Sequence, residues 1–501
     1  MNRKIGVILS YVLMIFEVLS TLLLTPFIIR TLGQAVYGVY KLAAAVNSYL
    51  LLLDLGVGNA ITRFVSKYRV ENNFQQSRKF MGVAVIYYSV IAIISIVVGI
   101  ILVAVFPSAF AKGLSHEQAA LGQQLLAITM INSAVTLGTA PFNNVLIAYE
   151  KFGISKGSSI IQILLRIVLT YLTLKLGMGS IGIVSVNLLM TILCRGFFVY
   201  YVFFRVKLFP MFRGIEFAFV KEIVLYSSLI LLQMIATQLN ATIDQVLLGA
   251  LVPASAAIIA VYGVGTQIAG YFQSIGSSFN GILMPGVVKL VEKGATPKEL
   301  TEEMIRIGRL IFMVGVLIWG GFLVCGIEFV NLWAGKDNIE AYKVAMILIT
   351  AYLFITSESI GSQILWAKNQ HKEQAYLKIT IVLLNIILTI LLIRWNPLIG
   401  ATIGTFISLM LGDVGVMNLI FVKKMKIDII HYYKSLFKGI LPCLIISVVV
   451  GLVLKQFFFT GWSGLIIKIA AMVVAYSISM LIFGMNRYEK NLLLSLVRRY
   501  R

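Results

Sequence analysis

The sequence predicts an all-α integral membrane protein with fourteen transmembrane helices, arranged as two pseudo-symmetric six-helix lobes plus a C-terminal helix pair, both termini cytoplasmic. Three observations predict it: long apolar blocks free of charge, basic connectors that alternate with charge-poor ones, and an internal repeat. The first is the most decisive. The chain is 59% hydrophobic and 12% charged, with a mean hydropathy of +0.95. A soluble domain of this length needs far more charge to cover its surface. Met81 to Phe106 contains no charged residue. At about 1.5 Å per residue, that block alone is longer than the ~30 Å hydrocarbon core of a bilayer.

Taken in order, the spans fall at 6–29, 38–62, 81–106, 120–148, 157–176, 180–204, 223–250, 257–288, 309–333, 343–367, 376–394, 398–421, 438–458 and 464–484. The first follows Asn2-Arg3-Lys4 and resembles the start of a signal peptide. It runs too long and lacks a small-residue cleavage site, so it reads as a retained span. The second is the least tidy, because it carries Lys41 and Asp54. The third is the charge-free block, and the fifth and sixth each hold one arginine. The eighth is unusually long and rich in Gly and Ser. The expected units are a first lobe at 1–221, a second at 222–434, and the last helix pair with a basic tail at 435–501.

The formal charge of +22 comes from 42 Lys and Arg against 20 Asp and Glu. In a soluble protein that excess would suggest nucleic acid. Here the basic residues sit between apolar blocks, where they set orientation and meet anionic lipid, and no basic domain remains to grip a duplex. With the N-terminus inside, the great majority of the basic residues fall in cytoplasmic segments and few in outer loops. That bias alternates loop by loop, which supports an even number of spans with both termini cytoplasmic.

Cys194, Cys325 and Cys443 lie inside apolar blocks without paired spacing, which argues against a disulfide framework or a zinc site. His116, His371 and His431 are scattered among connectors and read as solvated. No metal or cofactor is expected. A membrane enzyme such as a polysaccharide polymerase or acyltransferase would show a large polar catalytic loop or a His/Asp motif, and the connectors here are short.

The repeat pairs Ala35-Val36-Tyr37-Gly38-Val39 with Ala260-Val261-Tyr262-Gly263-Val264, and Ile181-Gly182 with Ile399-Gly400. Six spans, a basic connector and six more spans place both halves in one orientation, related by an axis along the membrane normal. Such lobes suit a transporter that alternates access by rocking. Spans thirteen and fourteen stand outside the repeat, as a packing pair or as a groove for a lipid tail.

Three segments carry a family resemblance. They are Pro26-Phe27-Ile28-Ile29-Arg30-Thr31-Leu32-Gly33 with Tyr37-Gly38, then Asp54-Leu55-Gly56-Val57-Gly58-Asn59-Ala60 with Arg63, and Asp244-Gln245-Val246-Leu247-Leu248-Gly249 before Val261-Tyr262-Gly263 and Pro285. In this order, within a pattern of six, six and two spans, they resemble the polysaccharide-exporter (Wzx-type) branch of the multidrug/oligosaccharidyl-lipid/polysaccharide (MOP) flippase superfamily. The resemblance covers roughly the first twelve spans and the extra pair. It implies translocation of undecaprenyl-pyrophosphate-linked oligosaccharide from the cytoplasmic to the outer leaflet of a bacterial plasma membrane. Composition and spacing alone stop at a transporter.

An ionisable side chain within a span costs about 2.5–3.5 kcal/mol on insertion scales, so it usually faces a cavity or a partner. Arg166 and Arg195 each lie about nine residues, or ~14 Å, from the cytoplasmic ends of adjacent antiparallel spans. Their planar forks suit a pyrophosphate, with Lys41 and Arg30 near the outer end of the first hairpin as later contacts. The competing reading pairs these cations with intramembrane carboxylates. Glu17, Asp54 and Asp244 are the candidates for coupling to H+ or Na+, with structural pairing as the alternative. Asp54 is also suited to cap a turn or to pair with Arg63. Glu358, Asp413 and Glu328 are further acidic residues in or near spans.

Gln233, Gln238, Asn240, Gln267, Gln273 and Asn280, with Tyr262, Tyr271 and Phe272, would line a sugar cavity or serve as interhelical contacts. The glycines of the eighth span, Gly281 among them, with Pro26 and Pro285 at span ends, would supply bends. Three rival functions stand beside this one. The first is an ion-coupled multidrug or cation antiporter of the same superfamily, which would favour a more acidic cavity; the second is a membrane-bound polysaccharide polymerase or acyltransferase, which the short connectors disfavour; the third is a scaffold without transport.

Overall fold

Helices account for every described regular element, as a chain without water-accessible edges requires, because only a helix or a closed barrel satisfies its backbone in lipid. The computed structural model describes residues 2–54, 56–213, 217–368, 370, 372–457 and 460–492, with side chains described except at 2–5, 7, 59, 217–232, 277 and 279–285. His371 and Leu55 therefore lie outside the described residues, as do the side chains of Asn280, Gly281 and Pro285. Eleven helices among the described residues are long and apolar enough to cross a membrane, or twelve when one bent pair counts as a single span. Two further helices of 35 and 37 residues each include undescribed side chains.

The chain divides into two compact units, Met1–Ala260 and Val261–Arg501. In the first, α1 (Asn2–Leu32), α2 (Gln34–Ser48), α3 (Val57–Val70), α4 (Phe74–Ala109), α5 (His116–Gly138), α6 (Ala140–Ala148), α7 (Phe152–Lys175), α8 (Gly179–Tyr201) and α9 (Phe217–Leu251) follow in order. α10 (Ala256–Glu292) begins here and continues into the second unit. That unit then contains α11 (Pro297–Ala334), α12 (Ala341–Ser357), α13 (Ser359–Ala367), α14 (Lys372–Leu392), α15 (Pro397–Leu409), α16 (Met417–Ile420), α17 (Ile429–Phe437), α18 (Ile440–Lys455) and α19 (Gly461–Ser479). α9 packs on α2, α3 and α4, so the division falls later than the lobe boundary read from the repeat.

Several spans read as continuous are broken. The second consists of α2, a short 3-10 turn at Leu50–Asp54, and α3, with Gly56 at φ 72° turning the chain. The fourth breaks between α5 and α6 at Thr139, whose hydroxyl bonds back to the Val135 carbonyl (2.6 Å), and Pro141 follows without an amide donor. The tenth bends by 40° between α12 and α13 at Glu358. There the Gly361 amide turns to the Glu358 carbonyl (2.9 Å), and the Ser357 carbonyl accepts the Tyr432 hydroxyl (2.9 Å).

The two units share these devices. The short helices after the fourth-span and tenth-span breaks, α6 and α13, are both nine residues long. The ends of the sixth and twelfth spans also match. A π-turn at Val202–Val206 leads into Lys207 at φ 59°, and one at Phe421–Met425 leads into Lys426 at φ 53°. Of these two, the twelfth carries a second described π-turn, Met410–Val416, after α15.

Within the first unit, the repeated Tyr-Gly of α2 has a packing explanation. Tyr37 is 1% exposed, and a Cβ on Gly38 would sit 1.8 Å from the Ala256 carbonyl oxygen at the start of α10. Gly38→Ala is therefore expected to lower stability by about 1–3 kcal/mol. Thermal unfolding of the detergent-solubilised protein checks this, and an unchanged midpoint would contradict it.

Candidate functional site

All seven residues singled out for substrate or ion, namely Arg30, Lys41, Arg166, Arg195, Glu17, Asp54 and Asp244, belong to the first unit. α1 packs along α7 and also against α2, and α7 packs on α8. These contacts bring α2 and α7 cations to a common tyrosine. Tyr40 interacts electrostatically with both Lys41 and Arg166. Lys41 is half-buried, with its Nζ 5.3 Å from the centre of the Tyr37 ring. Tyr37 is held from α1 by Thr25, and the Phe27 ring stacks on Tyr171 of α7 at 4.9 Å. Arg166 is half-buried and has no ion pair among the described residues. Lys41 and Arg166 thus share Tyr40 as a neighbour, with the Tyr37 ring beside Lys41.

Arg195 is also half-buried and without an ion pair among the described residues. Its guanidinium lies 5.8 Å from the Phe198 ring centre on the same helix. Between α7 and α8 a groove of about 290 Å³ is lined by Leu165 and Cys194, the residues just before each arginine, and by neither arginine itself. Arg30 is exposed in the last turn of α1, where a cation complements the helix dipole.

The three carboxylates have different surroundings. Glu17 is exposed along α1. Asp54 is half-buried, receives the Tyr88 hydroxyl at 2.5 Å and accepts the Gly56 amide. The turn between α2 and α3 thus uses it as a cap, one of the two structural roles the sequence suggested. Tyr88→Phe removes a donor from this partly buried carboxylate and is expected to cost about 1–3 kcal/mol of stability, read by the same thermal unfolding. Asp244 is 2% exposed on α9 and interacts electrostatically with Tyr49, while Gln238 of α9 donates to Ser48 at 2.9 Å. This is a polar seam between α9 and the end of α2.

Sequence reasoning missed a second polar site, in the other unit. A cavity of about 190 Å³ is lined by Gln273, Glu358, Gln374, Lys378 and Asp413 together with hydroxyl side chains. It lies where the bend at Glu358 meets the Met410–Val416 π-turn. Lys378 binds Asp413 at 2.7 Å. Glu358 is 3% exposed, and its Oε1 accepts Tyr433 Oη and Asn418 Nδ2 (3.1 Å), whereas Oε2 has no hydrogen-bond partner among the described residues. Another buried charge that escaped notice is Lys468 of α19, paired with Glu328 of α11.

The described polar and aromatic residues of α10 have several settings. Gln267 donates to Tyr271 (2.8 Å), Tyr262 is buried, and Gln273 lines the polar cavity. Tyr271 and Phe272 line an apolar groove of about 330 Å³ with Phe322, Phe329, Ile469 and Met472, so α19 forms part of its wall.

Residues 4–291 match the family described as polysaccharide biosynthesis protein. No curated protein matches the sequence significantly. Among solved structures, the lipid II flippase MurJ in an inward closed conformation is similar, with TM-score 0.74 and 18% identity over 98% of this chain and 100% of that one. An inward-facing MATE multidrug resistance transporter of the MOP superfamily has TM-score 0.60 at 14% identity, covering 81% of this chain and 99% of its own. The MATE transporter DinF-BH in complex with R6G has TM-score 0.60 at 16% identity, covering 84% and 95%. At these identities the likeness is one of fold.

Proposed function

This chain belongs to the polysaccharide biosynthesis protein family, and from that premise we propose that it is an alternating-access flippase for undecaprenyl-pyrophosphate-linked oligosaccharide repeat units. It carries them from the cytoplasmic to the outer leaflet of a bacterial plasma membrane for O-antigen, capsule or exopolysaccharide synthesis. Fourteen spans with both termini cytoplasmic complete the proposal. Glycosyltransferases supply the lipid-linked unit and a polysaccharide polymerase consumes it. The protein itself moves the unit without making or breaking a bond.

The observation that carries this reading is Arg166, a half-buried guanidinium within an apolar span, with no ion pair among the described residues and with Tyr40 shared with Lys41. A cation kept at such depth without a carboxylate is suited to a mobile anion, and the guanidinium fork matches two phosphate oxygens. Arg195, Lys41 and Arg30 extend the cationic route. The apolar groove beside α19 suits the prenyl chain. An H+ or Na+ gradient drives net movement by favouring one access state over the other, since a ligand of equal affinity for both shifts nothing.

The test is translocation of a labelled undecaprenyl-pyrophosphate glycan in proteoliposomes of the full chain, with and without an imposed proton or sodium gradient. Appearance of the glycan on the far leaflet supports the proposal. Transport of cationic drugs with no glycan movement would replace it with the antiporter reading.

A further inference from the structure

We propose that Glu358 is a proton-exchange site of the C-terminal unit, taking up a proton on Oε2 from the polar cavity formed at the bend between α12 and α13. The uptake is a simple protonation: an Oε2 lone pair accepts H+ passed inward from the cavity, and the proton leaves by the same route on release.

Glu358 is 3% exposed, and its Oε1 partners, Tyr433 and Asn418, are both neutral. Lys378, the basic side chain lining the cavity, is committed to Asp413 at 2.7 Å. Asp413 is close enough to interact electrostatically with Glu358, and the sign of that interaction is repulsive. A carboxylate buried this deeply without a counter-charge is costly, and the cost falls away when a cation joins it. The unpartnered Oε2 of a side chain lining the cavity is the position that lacks one.

The surroundings of Glu358 are otherwise settled. α17 faces it with Tyr432 and Tyr433, the first donating to the Ser357 carbonyl and the second to Glu358 itself. α14 and the Met410–Val416 π-turn bring Lys378 and Asp413, and α10 brings the neutral Gln273. α15 has no titratable side chain. On α11, Arg309 is committed to Glu489 and three backbone carbonyls. Backbone irregularity on both walls agrees with a working site, since π-bulges and broken helices concentrate where function needs them. The matching break in the first unit has Thr139 in place of a carboxylate, so the charge is particular to the second unit.

The use of this proton to drive transport rests on the flippase reading; the site itself does not. The test is therefore spectroscopic: infrared difference spectra of the full chain in lipid vesicles as the pH is stepped from acid to alkaline. The expected result is a carboxylic-acid carbonyl band that titrates in the wild type and in Asp413→Asn, is lost in Glu358→Gln, and returns shifted in Glu358→Asp. Survival of the band in Glu358→Gln overturns the proposal, as does its assignment to Asp413. Sodium that perturbs the Glu358 signal at constant pH would show a metal cation in place of the proton and also overturn it. A chain that binds the proton but flips no glycan would sink the flippase reading alone.

Discussion

Replacing Arg309 with alanine is expected to lower the stability of the C-terminal unit by about 3–5 kcal/mol, the usual effect of stripping one partner from a buried ion pair. Arg309 is 4% exposed on α11, and its Nε donates to Glu489 at 2.7 Å. Its other nitrogens reach the Ser435, Lys438 (2.9 Å) and Gly484 (3.1 Å) carbonyls. These carbonyls lie at or near the C-terminal ends of α17 and of a π-turn at Met480–Gly484 that follows α19, where a cation meets the negative end of each dipole. In the alanine variant Glu489, 2% exposed, would keep its bond from the Asn486 amide and lose its counter-charge. Removing Glu489 as well should recover part of the loss, and Arg309→Lys should recover only part because an ammonium cannot fork to so many acceptors. Thermal unfolding of the solubilised full chain measures all three variants. An Arg309→Ala midpoint equal to the wild type would contradict the arrangement.

Arg166→Ala is expected to slow glycan flipping by about 10- to 100-fold, which corresponds to loss of one charge-assisted phosphate hydrogen bond of about 1.5–3 kcal/mol. Folding should be largely retained, since Arg166 has no ion pair among the described residues to orphan. Lys41→Ala should act in the same direction and, because both cations interact with Tyr40, the two losses should not add. Initial rates in proteoliposomes, corrected for the amount of folded protein, give the comparison. Undiminished flipping by both variants would remove this patch from the mechanism.

The course of the helices was legible from hydropathy because lipid imposes one rule on every span. The breaks were not. A window average passes over Thr139 and Glu358 without a trace, since a bend costs only one or two hydrogen bonds and leaves composition unchanged. At Glu358 the bend is fixed by Tyr432 of α17, a contact across distant sequence that no local pattern encodes. The sites differ in the same way. Arg166 and Lys41 were visible as charges out of place in apolar runs, whereas Tyr40, which links them, looks like any span aromatic. Glu358 and Asp413 were noticed as acidic residues, but α17 reads as part of a connector and Lys378 as the edge of a span. The cavity they form with Lys378 therefore had no signature. Lys468 escaped for a related reason: it lies within the span read at 464–484, and only tertiary packing brings it to Glu328. Asp54 shows the opposite case, where the following Gly56 and Gly58 already marked a turn, and the structure supplies Tyr88 as its partner.

The measurement that bears most directly on the central claim compares one oligosaccharide carried on undecaprenyl pyrophosphate with the same oligosaccharide carried on undecaprenol without phosphate, both in proteoliposomes of the full chain. An escort for the charged headgroup should move the pyrophosphate form at least about tenfold faster, and Arg166→Ala should erase most of that preference. Equal rates for the two lipids, or a preference untouched by Arg166→Ala, would contradict it.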